Sequence, residues 1–199
     1  QITEEITKPN NSEPIIYKSR ETSEGASVNL KWIETKENGL RTIKKETSKT
    51  IETTYGNEST ERWTFKNKEN NDMVEVIISN NIGTIYVTKN AVATSKSFNL
   101  NNQPFKYPPS FYMSEFINSQ EKTLFIWVSN KADGELRQMI FTKIGNETVT
   151  IDGESYDCIK MEMKPTGFAG IFWQAFYWFE INSGTFIKYF GKKGPPGTP

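Results

Sequence analysis

Residues 167–191 read Gly-Phe-Ala-Gly-Ile-Phe-Trp-Gln-Ala-Phe-Tyr-Trp-Phe-Glu-Ile-Asn-Ser-Gly-Thr-Phe-Ile-Lys-Tyr-Phe-Gly, and aromatic side chains crowd this stretch more than any other. Asn182-Ser183-Gly184 supplies turn residues between two strand-like runs, 176–181 and 185–190. Both faces of the first run are apolar. A strand of that kind belongs in the middle of a sheet with material packed on each side.

Working back from this hairpin, the chain keeps a strand pattern. Residues 155–163 alternate, with Ile159, Met161 and Met163 on one face, and pair with 148–151 across Asp152-Gly153. Residues 136–144 form another strand. The run Leu124, Phe125, Ile126, Trp127, Val128 is wholly apolar and predicts a central strand. The first half is a meander of short strands. Val28, Leu30 and Trp32 share one face of 27–34, and Trp63 and Phe65 share one face of 61–67. Strands are also expected over 73–79, 84–88 and 93–100. Proline opens an edge strand at 14–20, and 40–55 reads as solvated strands with little core contact beyond Ile43 and Ile51. Pro104 to Pro109 interrupts the pattern. Ser110 is positioned to cap a short helix with Tyr112, Met113, Phe116 and Ile117 on one face.

These elements predict a mainly β fold with minor α content: a curled antiparallel sheet, or incomplete β-barrel, with one short helix packed on its concave side. The expected organisation is a flexible leader over 1–13, one β-rich domain over 14–191 and a Gly/Pro tail over 192–199.

Composition narrows the chemistry. The 199 residues contain 24 basic and 24 acidic side chains, so the net charge is zero and a nucleic-acid partner is not expected. There is no histidine, which removes histidine-based catalysis, metal ligation and pH switching. No metal and no cofactor is expected. Cys158 is the only cysteine and sits in an alternating strand, as a buried structural thiol would. No apolar run is long enough to span a bilayer as a helix. A chain that opens on Gln1 and a polar stretch suits an exported protein or a trimmed one, and the Lys- and Asn-rich composition suits a bacterial source. In such a source the sequons at Asn10, Asn57 and Asn146 would be idle.

The second half, 145–189, resembles a bacterial family of exported proteins of unknown function. The residues that carry the resemblance are Val149 to Gly153, Tyr156-Asp157-Cys158-Ile159-Lys160, Tyr177-Trp178-Phe179, and Phe186-Ile187-Lys188-Tyr189-Phe190. That family is similar in architecture to the carriers that move lipoproteins to the outer membrane. The resemblance implies an incomplete barrel with an apolar cavity, a periplasmic or cell-envelope location, and no catalytic residues.

Several constellations have two readings. Asp152, Glu154 and Asp157 offer oxygen ligands for calcium, or are the solvated flanks of a hairpin turn. Glu115, Glu135 and Glu180 could supply a carboxylate pair for hydrolysis. Glu180, which interrupts an apolar strand, reads more simply as a structural partner of Lys188. The loop 167–173 either meets a membrane interface, closes over a cavity or tucks into the core. Trp32, Trp63, Phe116, Trp127, Trp173 and Trp178 are the candidate lining of a ligand cavity, or plain core. The leading expectation is an exported, non-enzymatic binding protein that holds an apolar or amphipathic, lipid-like ligand in the hollow of the sheet. The competing expectation is an interaction or envelope module with a filled core, which binds a partner protein along a sheet edge.

Overall fold

The computed structural model describes residues 2–7, 14–37, 40–46, 49–56, 59–130, 134–167 and 173–191. The strands are β1 (Ile2–Thr7), β2 (Ile15–Ser23), β3 (Ala26–Glu37), β4 (Leu40–Glu46), β5 (Lys49–Gly56), β6 (Ser59–Asn67), β7 (Met73–Ser79), β8 (Ile82–Lys89) and β9 (Val92–Asn99). After the helix α1 (Ser114–Asn118) come β10 (Thr123–Asn130), β11 (Glu135–Ile151), β12 (Glu154–Pro165), β13 (Ala175–Glu180) and β14 (Phe186–Gly191). All fourteen strands form one antiparallel sheet in the order 10-11-12-13-14-1-2-3-4-5-6-7-8-9. The fold is therefore mainly β, as expected, with one helix among the described residues.

Tight turns account for the meander. Asn80-Asn81, Asn90-Ala91 and Asp152-Gly153 each place two successive residues at positive φ, as does Glu24-Gly25. That geometry matches the right-handed twist of the flanking strands and joins them through two-residue loops.

The sheet curls but does not close, because β9 and β10 are not paired. Instead it laps over itself. Trp63, Val74, Val76 and Ile85, from β6 to β8, share a core with Leu136 of β11, and Trp127 of β10 packs against it. The layers approach closely at Gly83, where a Cβ would lie 2.8 Å from Leu136 Cδ1. The concave face of β10 to β14 holds a second core, in which Ile126, Met139, Phe141, Met161, Tyr177 and Phe179 meet Met113, Phe116 and Ile117 around α1. The helix thus lies on the hollow side, as expected. A third core lies on the opposite face of the same strands. Val149, Ile151, Tyr156 and Cys158 from the end of the long β11–β12 hairpin curl over Trp178 and Ile187. A bulge between Lys143 and Gly145 marks the bend. This explains why both faces of β13 are apolar.

Four expectations are corrected. Ile2–Thr7 belongs to β1 rather than to a leader, because its backbone fills the gap between β14 and β2, with Ile2 opposite both Gly191 and Ser23. The run from Leu124 to Val128 forms a terminal strand, not a central one. Its free edge is taken by the chain itself: Trp127 N–H donates to Pro104 O at 2.9 Å, and Lys106 N–H donates to Trp127 O at 3.0 Å. Ile126 and Val128 face the second core and Trp127 the core between the layers, while Phe125 stays exposed. The helix starts after Met113 with no side-chain cap, so Ser110 does not cap it. Finally, 14–20 is not an edge strand, because β2 pairs with β1 on one side and with β3 on the other. The sequons at Asn10 and Asn57, most of the loop 167–173 and the tail 192–199 lie outside the described residues.

Candidate functional site

The concave face carries a cavity of about 160 Å³. Met139, Met163, Trp173, Tyr177 and Tyr189 form one wall, from β11, β12, β13, β14 and the chain just before β13. Tyr107, Pro108 and Pro109 face them, and the Tyr107–Pro108 peptide is cis. The strands point these side chains inward by the two-residue alternation of the pleat. Tyr177 anchors the wall: its ring lies edge-on to Phe141 at 5.2 Å and to Tyr189 at 5.0 Å. Burial pushes the hydroxyls of both Tyr177 and Tyr189 well above the usual tyrosine range, so they remain protonated donors. Tyr107 also meets Trp63 at 4.5 Å, which ties the cavity to the core between the overlapping layers.

A polar zone lies on the same concave side, across β1 to β4. Glu34 is 5% exposed, yet it accepts hydrogen bonds from Tyr17 Oη at 2.5 Å and Tyr112 Oη at 2.8 Å. Arg41 lies 3.7 Å from the same carboxylate and 5.4 Å from the Tyr112 ring. Burial, followed by bonding to the Glu34 carboxylate, raises both phenols far out of their usual range. Glu4 accepts from Ser19 Oγ at 2.9 Å. Burial raises its carboxyl above the ordinary value, against the opposing pull of Lys45 and Ser19. Lys45 in turn sits 4.9 Å over the Trp32 ring. These groups do not line the cavity: Glu34 and Arg41 border a separate pocket with Pro14 and Ile15.

The six aromatic residues singled out from sequence are all at least partly buried but do not share one hollow. Trp173 lines the cavity, and Phe116 belongs to the core beneath it. Trp63 supports Tyr107 from behind. Trp127 lies with the overlapping layers and donates its indole N–H to Leu100 O at 2.9 Å. Trp32 packs with Ile43 and Phe111. Trp178 faces the other way, under the curled hairpin. Sequence reasoning missed Tyr107, Tyr177 and Tyr189 as lining residues, and it missed Glu34 and Glu4. The signal for Glu34 was present: it is the next residue on the Val28, Leu30, Trp32 stripe.

The acidic candidates each have a protein partner. Asp152 pairs with Arg20 at 3.3 Å, Glu154 accepts from Tyr156 Oη at 2.7 Å, and Asp157 accepts from Thr148 Oγ1 at 3.1 Å. Among the described residues no acidic or thiol cluster has the geometry to hold a metal ion. Glu180 accepts from Ser183 Oγ rather than pairing with Lys188, which lies 3.6 Å from Glu5 on the neighbouring strand. Glu135 pairs with Lys96 at 2.8 Å, and Glu115 is exposed on α1. Cys158 is buried, and burial, then Glu180, push its thiol up to about 12, where it is unreactive.

No family profile matches this chain. No curated protein is similar to it. Among the solved structures to which it is similar is a β-barrel-like protein of Domain of Unknown Function DUF1849 from Brucella abortus, at a TM-score of 0.46 and 7% identity, over 96% of this chain and 92% of that one. Among the described residues, no helix is long and apolar enough to cross a membrane.

Proposed function

We propose that this is a non-enzymatic binding protein that takes the apolar part of an amphipathic, lipid-like ligand into the hollow of its sheet. The observation that carries this reading is the cavity walled by Met139, Met163, Trp173, Tyr177 and Tyr189. Thioether and aromatic side chains offer apolar contact, and tyrosine hydroxyls at the wall add polar handles that orient a ligand. The volume limits the guest. About 160 Å³ is below the few hundred Å³ of drug-sized sites, so one slender chain or ring fits and a lipid with several chains does not. The resemblance of 145–189 to exported proteins supports a periplasmic or cell-envelope location.

Organic extraction of the purified protein, with native mass spectrometry beside it, tests the reading. A co-purifying amphiphile is expected, and Met163→Trp, which fills the cavity, is expected to abolish it while the circular dichroism spectrum is kept. An empty extract, together with no uptake of an added single-chain fatty acid or alcohol, would overturn the proposal.

A further inference from the structure

The two ends of the sheet are finished differently. At β10 the free edge is occupied by the backbone of Pro104 to Lys106. At β9 no strand or segment among the described residues takes that place. Alternate residues of Val92–Asn99 turn unpaired backbone groups to that side. Two of the usual protections, proline and a bulge, are missing. The strand has no proline, and its register with β8 runs without a bulge from Ile82–Asn99 to Lys89–Val92. Its one charge, Lys96, is drawn to Glu135 at 2.8 Å and lies 4.9 Å over the Phe98 ring. Apolar side chains are also exposed beside this edge: Val92 is 65% exposed, and Ile77, Ile82 and Tyr86 of β7 and β8 are exposed as well.

We propose that β9 is a self-association edge, on which two copies of this chain pair antiparallel about a two-fold axis at Ser95. The sequence of the strand is complementary to itself in that register. Val92 of each copy falls opposite Phe98 of the other, which makes an apolar cross-strand pair twice. Lys96 falls opposite Thr94, so the lysines do not face each other. Ser95 meets its own copy, and the side chains near the axis are small. The chain has zero net charge and sets up no long-range repulsion between copies. Strand addition gains affinity from main-chain hydrogen bonds. With one strand from each copy the interface is at the small end of the range, so the dimer dissociates on dilution.

Sedimentation velocity of the full chain over a concentration series reads the equilibrium. Wild type is expected to show a monomer–dimer exchange. Ser95→Lys places two ammonium groups face to face on an exposed position and is expected to weaken the dimer by on the order of tenfold, at an unchanged melting temperature. Ser95→Cys is expected to form a covalent dimer under mild oxidation, whereas Thr88→Cys, one strand inward, is not; the native Cys158 is buried and silent. A wild type that stays monomeric at every concentration would refute the proposal. So would a dimer that Ser95→Lys leaves intact, or one in which Ser95→Cys fails to cross-link.

Discussion

Ala91 holds a φ of 63°, in the left-handed region where a Cβ is disfavoured, because the β8–β9 turn needs that geometry at both of its central positions. Asp152-Gly153 meets the same need with glycine, at a φ of 88° and with nothing near an added Cβ. The two sites therefore make a matched pair. Ala91→Gly is expected to stabilise the protein by about 1 kcal/mol and Gly153→Ala to destabilise it by about as much, read from urea denaturation midpoints. Glu4 bears on pH. Burial raises its carboxyl in the folded chain, so the folded state holds this proton more tightly than the unfolded state does. Stability then falls as pH rises from the ordinary carboxyl value through the raised one. Glu4→Gln keeps an acceptor for Ser19 and removes the charge. It is expected to be more stable than wild type at about pH 8 and to lose that advantage at about pH 4, as urea melts at the two pH values would show.

At the level of elements, the β13–β14 hairpin depends on its turn. Gly184 has a φ of 69°, and a Cβ there would lie 2.7 Å from Ser114 Cα, backbone that cannot move aside without shifting α1. Gly184→Ala is expected to cost about 2–3 kcal/mol, through strain plus the clash, and a thermal melt would detect it. This hairpin was readable beforehand, as were the alternating strands and most turns, because local pattern and turn chemistry agree there. Tertiary contacts decided the rest. β10 reads as central because its residues are apolar on both faces, yet nothing local reveals that its edge is held by Pro104 to Lys106. β1 is polar and short, so only its two neighbours disclose that it is a strand. Which aromatics gather around a cavity depends on how far the sheet laps over itself. For that reason Trp173 was legible as a lining residue while Tyr107 and Tyr189 were not.

For the whole molecule, β1 joins two runs of strands that pair only through it, β14 on one side and β2 on the other. Removing residues 1–7 leaves two unpaired edges where there had been a continuous ladder and strips Glu5 from its pairing with Arg20 and Lys188. The truncated chain is expected to melt at a lower temperature, with a broader transition, and to run as soluble aggregates on size exclusion. A truncated chain that melts like wild type would show that the ladder holds without this strand.

The pairing of Ile2 with Gly191 also sets a timetable for synthesis. A ribosome must release Phe186–Gly191 before β1 can find β14. Until then β1 is paired on one side only, with β2, and contacts of such long sequence separation form slowly. A sheet fastened between Ile2 and Gly191 is completed only once both have left the ribosome, and any factor that shields nascent strands would find its substrate in that interval.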